Sequence, residues 1–433
     1  MNENAKENSQ TGFQICPTFG EILPDGSVVD LVIQGFFPGQ LSLLHWDGKK
    51  YFIAPEVQVG TTTYVAPFLD PSVLCATRFP RDAEEYGTRD KLFWKVTSSF
   101  QQYLRFSEEL AAYAALAVFA TWFPDCHPSP LTVCVEGWDL RQAMRFFRLF
   151  GIFCRRPLAI AEFSRHLPIN AYPTLLVVDL AMSKKGRSFW RATNDHNIFV
   201  PAGRGMVRNL ACTKVIFSEA AASSREDWGR EAMYFPLPLA TNALPVLTET
   251  EEELLATEFQ AQFLMYRLHH LLPVYQSMFA PTRPRLPGFE LGSILLACVQ
   301  DDSTIVKLVT PLLDAQEQDE EAQRLLNPEV VIVEVLWSVA HAEDEKEIST
   351  AEITERVNAL LRSRGETSVY NPREIGWKLK NLRLERHDNG HNRVLRFSRE
   401  TRRRIHQLAA GFGLILPKMA GCADCEGSQL IVQ

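Results

Sequence analysis

Three short runs of apolar, β-forming residues constrain this chain most: "LTVCV" at 131–135, "TLLVVDL" at 174–180 and "TKVIFSE" at 213–219. Each run is solid rather than alternating, and amphipathic helical sequence separates them. Solid runs suit strands covered on both faces, as in a parallel sheet layered with helices. A parallel-sheet core is therefore expected over 84–240. The chain has 433 residues, 46% hydrophobic and 22% charged, enough for several domains with sizeable cores.

The flanking sequence reads differently. "MNENAKENSQTG" is polar, has no apolar centre to serve as a signal peptide, and suits a disordered start over 1–18. Residues 19–83 alternate short β-like runs with turn signals, "LPDGSVV", "HWDGKKYF" and "VGTTTYVAPF", and the DG pairs point to hairpins in a β-rich domain. A charged helical stretch at 248–272 and the acidic run "DAQEQDEE" at 314–321 read as a helical connector and linker over 241–325. The longest apolar stretch, 110–123, is too short to cross a bilayer and suits a buried helix, so no membrane partner is expected. Nine cysteines lie at irregular spacing in apolar contexts, which fits buried thiols in a reducing cytoplasm better than a disulfide framework.

The turn after the first core strand, in "VCVEGWDLRQAMRFFRLF" at 133–150, is where many α/β proteins hold a phosphate. Such a loop needs G-x-x-x-x-G-K-[ST]: glycines so that backbone N–H groups can wrap the phosphates, Lys for charge, and a hydroxyl for Mg²⁺. Counting from Gly137, the second glycine falls on Gln142, the lysine on Ala143 and the hydroxyl residue on Met144. Asp139 adds a negative charge, and neither Arg141 nor Arg145 restores the loop. Ala143, Phe146, Phe147 and Phe150 instead share one helical face. The second run ends in Asp179, where a nucleotide hydrolase carries a Mg²⁺-positioning Asp followed by an acid; here Leu180 follows.

The order of "EEYGTRDKLFWKV" (84–96), "AAYAALAVFATWF" (111–123), "FRLFGIFCRRPL" (147–158), "YPTLLVVDLAMSKKG" (172–186) and "CTKVIFSE" (212–219) resembles bacterial and phage P-loop ATPases of mobile elements and replication, of the AAA+ and primase-helicase kind. The resemblance covers about residues 20–410 and lacks its most specific motif. It implies a P-loop NTPase-like core with a degenerate nucleotide site. Ala143 then stands for the lysine, Met144 for the serine, and Val178 or Leu180 for a lost acid. It also implies that Asp179 survives, and that Arg230 lies near an arginine-finger position from which it could act in trans on an active partner.

The C-terminal sequence carries the positive charge. Between Arg362 and Arg404 there are 13 Lys and Arg against 5 Asp and Glu, a net +8 within a chain of net −7, so the remainder carries −15. "NPEVVIVEVLWSVAHA" (327–342) reads as a first helix. "STAEITERVNALL" opens a second, with Ser349 and Glu352 in capping-box spacing and Ile353, Val357, Leu360 and Leu361 inward. "NPREIGWKLKNLRL" gives a third, with Ile375, Leu379 and Leu382 inward and Arg373, Trp377, Lys380 and Asn381 on another face. Two β-like arms flank Asn389-Gly390, and "SRETRRRIHQLAAGF" closes the unit. Three helices and a hairpin read as a winged helix over 326–412, whose third helix would enter a major groove while the wing meets the backbone. The DNA-binding set is Arg373, Trp377, Lys378, Lys380, Asn381, Arg383, Arg386, His391 and Arg393. A loosely ordered tail is expected over 413–433.

Other candidates carry less. Cys422 and Cys425 form one CxxC with no second pair nearby in sequence, so no metal is expected. Asp125 and His127 in "FPDCHPSP" lack a nucleophile elbow, adjacent His269 and His270 point to different faces of a helix, and "PAGRGMVRN" (201–209) reads as a β-turn. The expectation is a multidomain α/β protein of the cytoplasm: a β-rich N-terminal domain, a P-loop NTPase-like core without catalysis or cofactor, a helical connector, and a winged helix that binds duplex DNA. Homo-oligomers or an active ATPase paralogue are possible partners. The alternatives left open are a noncatalytic subunit beside an active ATPase, and an ATPase with a noncanonical loop.

Overall fold

The computed structural model describes residues 14–35, 39–127, 129–162, 172–178, 184–203, 206–219, 232–238, 244–279, 290–299, 302–342, 346–367, 369–388, 393–414, 416, 422 and 425. The chain divides into two compact units, residues 1–316 and 317–433.

The first unit begins with seven short strands: β1 (Gln14–Pro17), β2 (Glu21–Ile22), β3 (Val28–Gln34), β4 (Gln40–Trp46), β5 (Tyr51–Ala54), β6 (Glu56–Val59) and β7 (Thr62–Val65). β2 to β5 form an antiparallel meander, and β1, β7 and β6 a second sheet. Gly26 and Gly48, the second residues of the two DG pairs, turn at φ of 85° and 94°, where glycine carries no Cβ penalty. This stretch shares one compact unit with the core. Asp30 on β3 is buried against Arg155, Arg156 and Arg267, and Val28, Val32 and Leu44 belong to the main apolar cluster.

Five parallel strands follow: β8 (Thr132–Gly137), β9 (Pro157–Ile160), β10 (Thr174–Val177), β13 (Lys214–Glu219) and β14 (Ala232–Pro236). Their order is β14-β8-β13-β10-β9. Both faces are covered, which explains the solid apolar runs. Val133, Val135, Val215, Phe217, Met233 and Phe235 lie in the large helical core; Cys134, Ile216 and Tyr234 pack on the other side with Trp190 and Val200. A hairpin of β11 (Phe199–Gly203) and β12 (Met206–Asn209) occupies the stretch read as a β-turn. The helix Glu108–Thr121 is buried without a break from Ala111 to Thr121, as its uniform apolar sequence requires.

Residues 314–321, expected as a linker, lie inside the helix Ser303–Leu326. Ala, Gln and Glu dominate the run and are strong helix formers, and no Gly or Pro interrupts it. No helix among the described residues is long and apolar enough to cross a membrane.

The second unit contains four helices, Pro328–Ala340, Thr350–Ser363, Pro372–Asn381 and Arg399–Gly411, and a small antiparallel sheet. Its strands are β15 (Glu347–Ser349), β16 (His387–Asp388) and β17 (Arg393–Arg396), in the order β15-β17-β16. Ile353, Val357, Leu361, Ile375, Leu379 and Leu382 pack in its core, while Leu360 is half-buried at the edge. Ser349 caps the second helix through the Glu352 amide, and Asn371 and Glu374 form a complete capping box on the third. Asn389, Gly390 and His391 lie outside the described residues.

Candidate functional site

Two places concentrate the residues that the sequence singles out. The first is the turn after β8. The connection from β8 leads to β9 at one edge of the sheet, whereas that from β13 leads past β8 to β14 at the other. The crevice between the ends of β8 and β13 is thus the switch point at which open α/β sheets bind ligands.

Here the turn is short. Only Trp138 and Asp139 separate Gly137 from the helix Leu140–Phe153, so no loop exists to wrap an anion. Asp139 caps that helix, its carboxylate accepting from the Arg141 amide at 2.8 Å, and the amides of Gln142 and Ala143 each donate to the Asp139 carbonyl at 3.1 Å. The helix N-terminus, where a phosphate would gain most, already holds a carboxylate. A Cβ on Gly137 would meet Leu237 Cβ at 3.1 Å and Phe217 Cε2 at 3.5 Å, so apolar side chains cover the backbone a nucleotide would need to approach.

Two of the positions counted from Gly137 are tied into the fold. Ala143 is fully buried among phenylalanines, and Gln142 donates through Nε2 to the Pro238 carbonyl. Met144, Leu140 and Trp138 are exposed. The described part of β10 ends at Val177; Asp179 and Arg230 lie outside the described residues.

The core also holds a buried ionic cluster that sequence reading missed. Arg267 forms a bidentate pair with Asp125 at 2.8 and 2.7 Å and donates from Nε to Asp30 at 2.6 Å. Arg155 reaches Asp30 at 3.0 and 3.1 Å, and Arg156 donates to the same carboxylate and to the Phe19 carbonyl. Burial pushes the Asp30 carboxyl up, but the guanidiniums of Arg155, Arg156 and Arg267 outweigh it and hold the group well below the usual range. Asp125 is thereby committed to Arg267. Its neighbour His127 is buried, which pushes its pKa down to about 4, and its Nε2 lies 3.8 Å from Cys298 Sγ. That arrangement holds the loop in the core. His269 and His270 both approach the Tyr86 hydroxyl, at 3.3 and 3.1 Å.

The second place is the outer face of the third helix, Pro372–Asn381, and its flank. Arg373, Trp377, Lys380, Asn381, Arg383 and Arg393 are exposed; Lys378 and Arg386 are half-buried. Trp377 is 60% exposed, and the Lys380 ammonium lies 5.6 Å from its ring centroid. Lys378 lies at the same distance over Tyr370. The helix ends in a Schellman turn, with the Leu384 amide donating to the Leu379 carbonyl at 2.9 Å and that of Arg383 to Lys380 at 3.0 Å. Arg383 takes the left-handed position at φ 59°, which glycine would fill at less cost. The Arg386 guanidinium lies over Gly376, where a Cβ would collide with it, and so ties the base of β16 to the third helix. None of Arg373, Lys378, Lys380, Arg383, Arg386 and Arg393 has an acidic partner among the described residues.

Cys422 and Cys425 do not stand as a lone pair. The fold brings His341 and His406 to them from two other segments. Nothing in the spacing of the four residues signals this.

No protein-family model matches the chain, and no curated protein matches it. Among solved structures it is similar to a full-length MCM homologue from Methanopyrus kandleri, at 11% identity and a TM-score of 0.36 over 68% of this chain and 78% of that one. It is also similar to the apo A form of the NrS-1 C-terminal region, at 8% identity and a TM-score of 0.34 over 85% and 96%. Likeness at this level carries no argument about activity.

Proposed function

We propose that the C-terminal unit is a winged helix that binds duplex DNA through its third helix, and that the core is a P-loop-ATPase-like scaffold that does not turn over nucleotide. One observation carries the first half: six cations around an exposed tryptophan, none with an acidic partner among the described residues. Exposed Glu374, Glu385 and Asp388 share this stretch, but the six cations outnumber them two to one, the excess that phosphate neutralisation wants. Arg373, Lys380 and Asn381 are the residues for base edges. Lys378, Arg383 and Arg393 serve phosphates, and Arg386 braces the wing. His391 at the wing tip belongs to the same proposal.

The loss of turnover is supported by the two-residue turn, the Asp139 carboxylate at the helix start and the Leu237 cover over Gly137. Exposed Trp138, Leu140 and Met144 suit an assembly surface better than a phosphate site. The resemblance of the sequence to mobile-element and replication ATPases supports a replication-related setting.

The test is anisotropy of labelled duplex DNA titrated with the full chain from low to physiological salt. With the three phosphate contacts of Lys378, Arg383 and Arg393, affinity should fall about fortyfold between 50 and 200 mM salt. Arg373→Glu/Lys380→Glu should abolish binding. No binding at low salt would sink the proposal and move the reading to a noncatalytic subunit beside an active ATPase.

A further inference from the structure

Four side chains converge on one point of the C-terminal unit. His341 caps the first helix, His406 sits on the fourth, and Cys422 and Cys425 follow that helix. Their four ligand atoms all lie within 4.8 Å of one another. His406 Nε2 is 3.2 Å from Cys425 Sγ and 3.5 Å from Cys422 Sγ, and His341 Nε2 is 3.3 Å from Cys425 Sγ. We propose that these four residues form a structural zinc site, Cys422 and Cys425 as thiolates and His341 and His406 through Nε2.

The histidine tautomers are already set for it. His341 Nδ1 lies 2.8 Å from the Trp337 carbonyl, and His406 Nδ1 lies 2.8 Å from the Arg402 carbonyl. A carbonyl only accepts, so Nδ1 carries the proton in both rings and Nε2 presents its lone pair to the thiols. This is the backbone bond by which metal-bound histidines are oriented. The Trp337 ring packs against both imidazoles, with centroids 4.7 and 4.4 Å away, and fixes their planes. The Cys425 amide donates to the Cys422 carbonyl at 3.0 Å, a tight turn that sets the two thiols side by side.

Simple thiol–imidazole hydrogen bonds account for the contacts less well. Two thiols could pair with the two Nε2 lone pairs, Cys425 with His341 and Cys422 with His406, but that leaves the shortest contact, His406 Nε2 to Cys425 Sγ at 3.2 Å, with no proton to hold it. A tetrahedral zinc with Zn–S of about 2.3 Å and Zn–N of about 2.0–2.1 Å requires N···S edges of about 3.5 Å, close to those present. Two soft sulfurs and two imidazoles select zinc over the harder divalent ions. On binding, Zn²⁺ displaces two thiol protons, and the two thiolates cancel its charge, which suits a site where Cys425 and His406 are buried. Four protein ligands fill the tetrahedron, so the metal has no open position for chemistry. Its task is to fasten the segment after the fourth helix to the unit.

The experiment is elemental analysis of the full chain, purified reduced and dialysed against a weak chelator, followed by cobalt exchange. The expected result is about one zinc per chain, and on exchange a cobalt spectrum with tetrahedral d–d bands and thiolate charge transfer. Cys422→Ser/Cys425→Ser should lose the metal, while Cys75→Ser, at an exposed cysteine elsewhere, should keep it. Should the double variant fail to fold, titrating wild-type thiols with a mercurial gives the same answer, zinc leaving in step with two thiols. Reduced, folded protein that takes up neither zinc nor cobalt would overturn the site, as would metal retained in the double variant. Neither result depends on whether DNA is bound.

Discussion

The helix Leu140–Phe153 and the third helix of the C-terminal unit begin alike and end in opposite chemistry. Asp139 caps the first, and Asn371 with Glu374 caps the second. Both helix starts therefore have their amides satisfied from within the chain, and neither N-terminus is by itself an anion site. The difference lies in the flanks. Around Gly137, Leu237 and Phe217 close over the backbone and Ala143 sits in the core. Around Pro372–Asn381, Arg373, Lys380 and Arg383 stand in solvent with Trp377 between them. An anionic ligand needs exposed cations without internal partners, and the second place has an excess of them.

The largest expected effect separates the two regions. Asp30 anchors three guanidiniums that have no water to fall back on. Asp30→Ala should cost the protein about 3–5 kcal/mol, because it leaves buried charges uncompensated. Calorimetry should show the loss as a lowered melting temperature, with DNA affinity of the folded protein unchanged. A variant of wild-type stability would mean that the cluster is not the tie between β3 and the core.

Ala143→Lys tests the closed turn directly, because the resemblance makes Ala143 the heir of the phosphate-binding lysine. If only the side chain had been lost, restoring it would restore nucleotide affinity. The structure gives the opposite expectation. Position 143 is buried beside Phe146 and Phe147, the turn is two residues long, and Asp139 occupies the helix start. The lysine should cost about 3 kcal/mol as a buried unpaired charge and gain no ATP binding by calorimetric titration. Measurable binding would reopen the noncanonical ATPase reading.

Much of this contrast is legible in the sequence because it rests on local pattern. Solid apolar runs announce the sheet strands β8, β10 and β13, and the inward faces of the C-terminal helices follow from spacing three and four apart. The missing glycine and lysine after Gly137 are visible without coordinates. What sequence does not carry is pairing at long range. Asp30 meets Arg155 across 125 positions and Arg267 across 237, and a single buried acid has no periodicity to betray it. His341 reaches Cys425 across 84 positions, so a CxxC reads as incomplete until the chain is folded. The acidic stretch at 314–321 misleads for another reason: charge density suggests a solvated linker, yet six of its eight residues are Ala, Gln or Glu, which favour a helix.

The smallest effect sharpens the reading of the cationic face. The Lys380 ammonium lies over the exposed Trp377 ring, so that side chain is held near one position rather than sweeping through solvent. A base-edge contact made from there loses less side-chain entropy than one from a free lysine. Lys380→Ala should then weaken duplex binding by about 1 kcal/mol and relax its preference among sequences, with the slope of log affinity against log salt nearly unchanged. Trp377→Ala tests the platform separately. If the ring only positions the lysine, affinity should fall while the salt slope stays, because the charge is still present. If the ring stacks on a base, single-stranded and duplex DNA should be affected unequally. A loss spread evenly over sequences, with a shallower salt slope, would move Lys380 from the base edges to the phosphates.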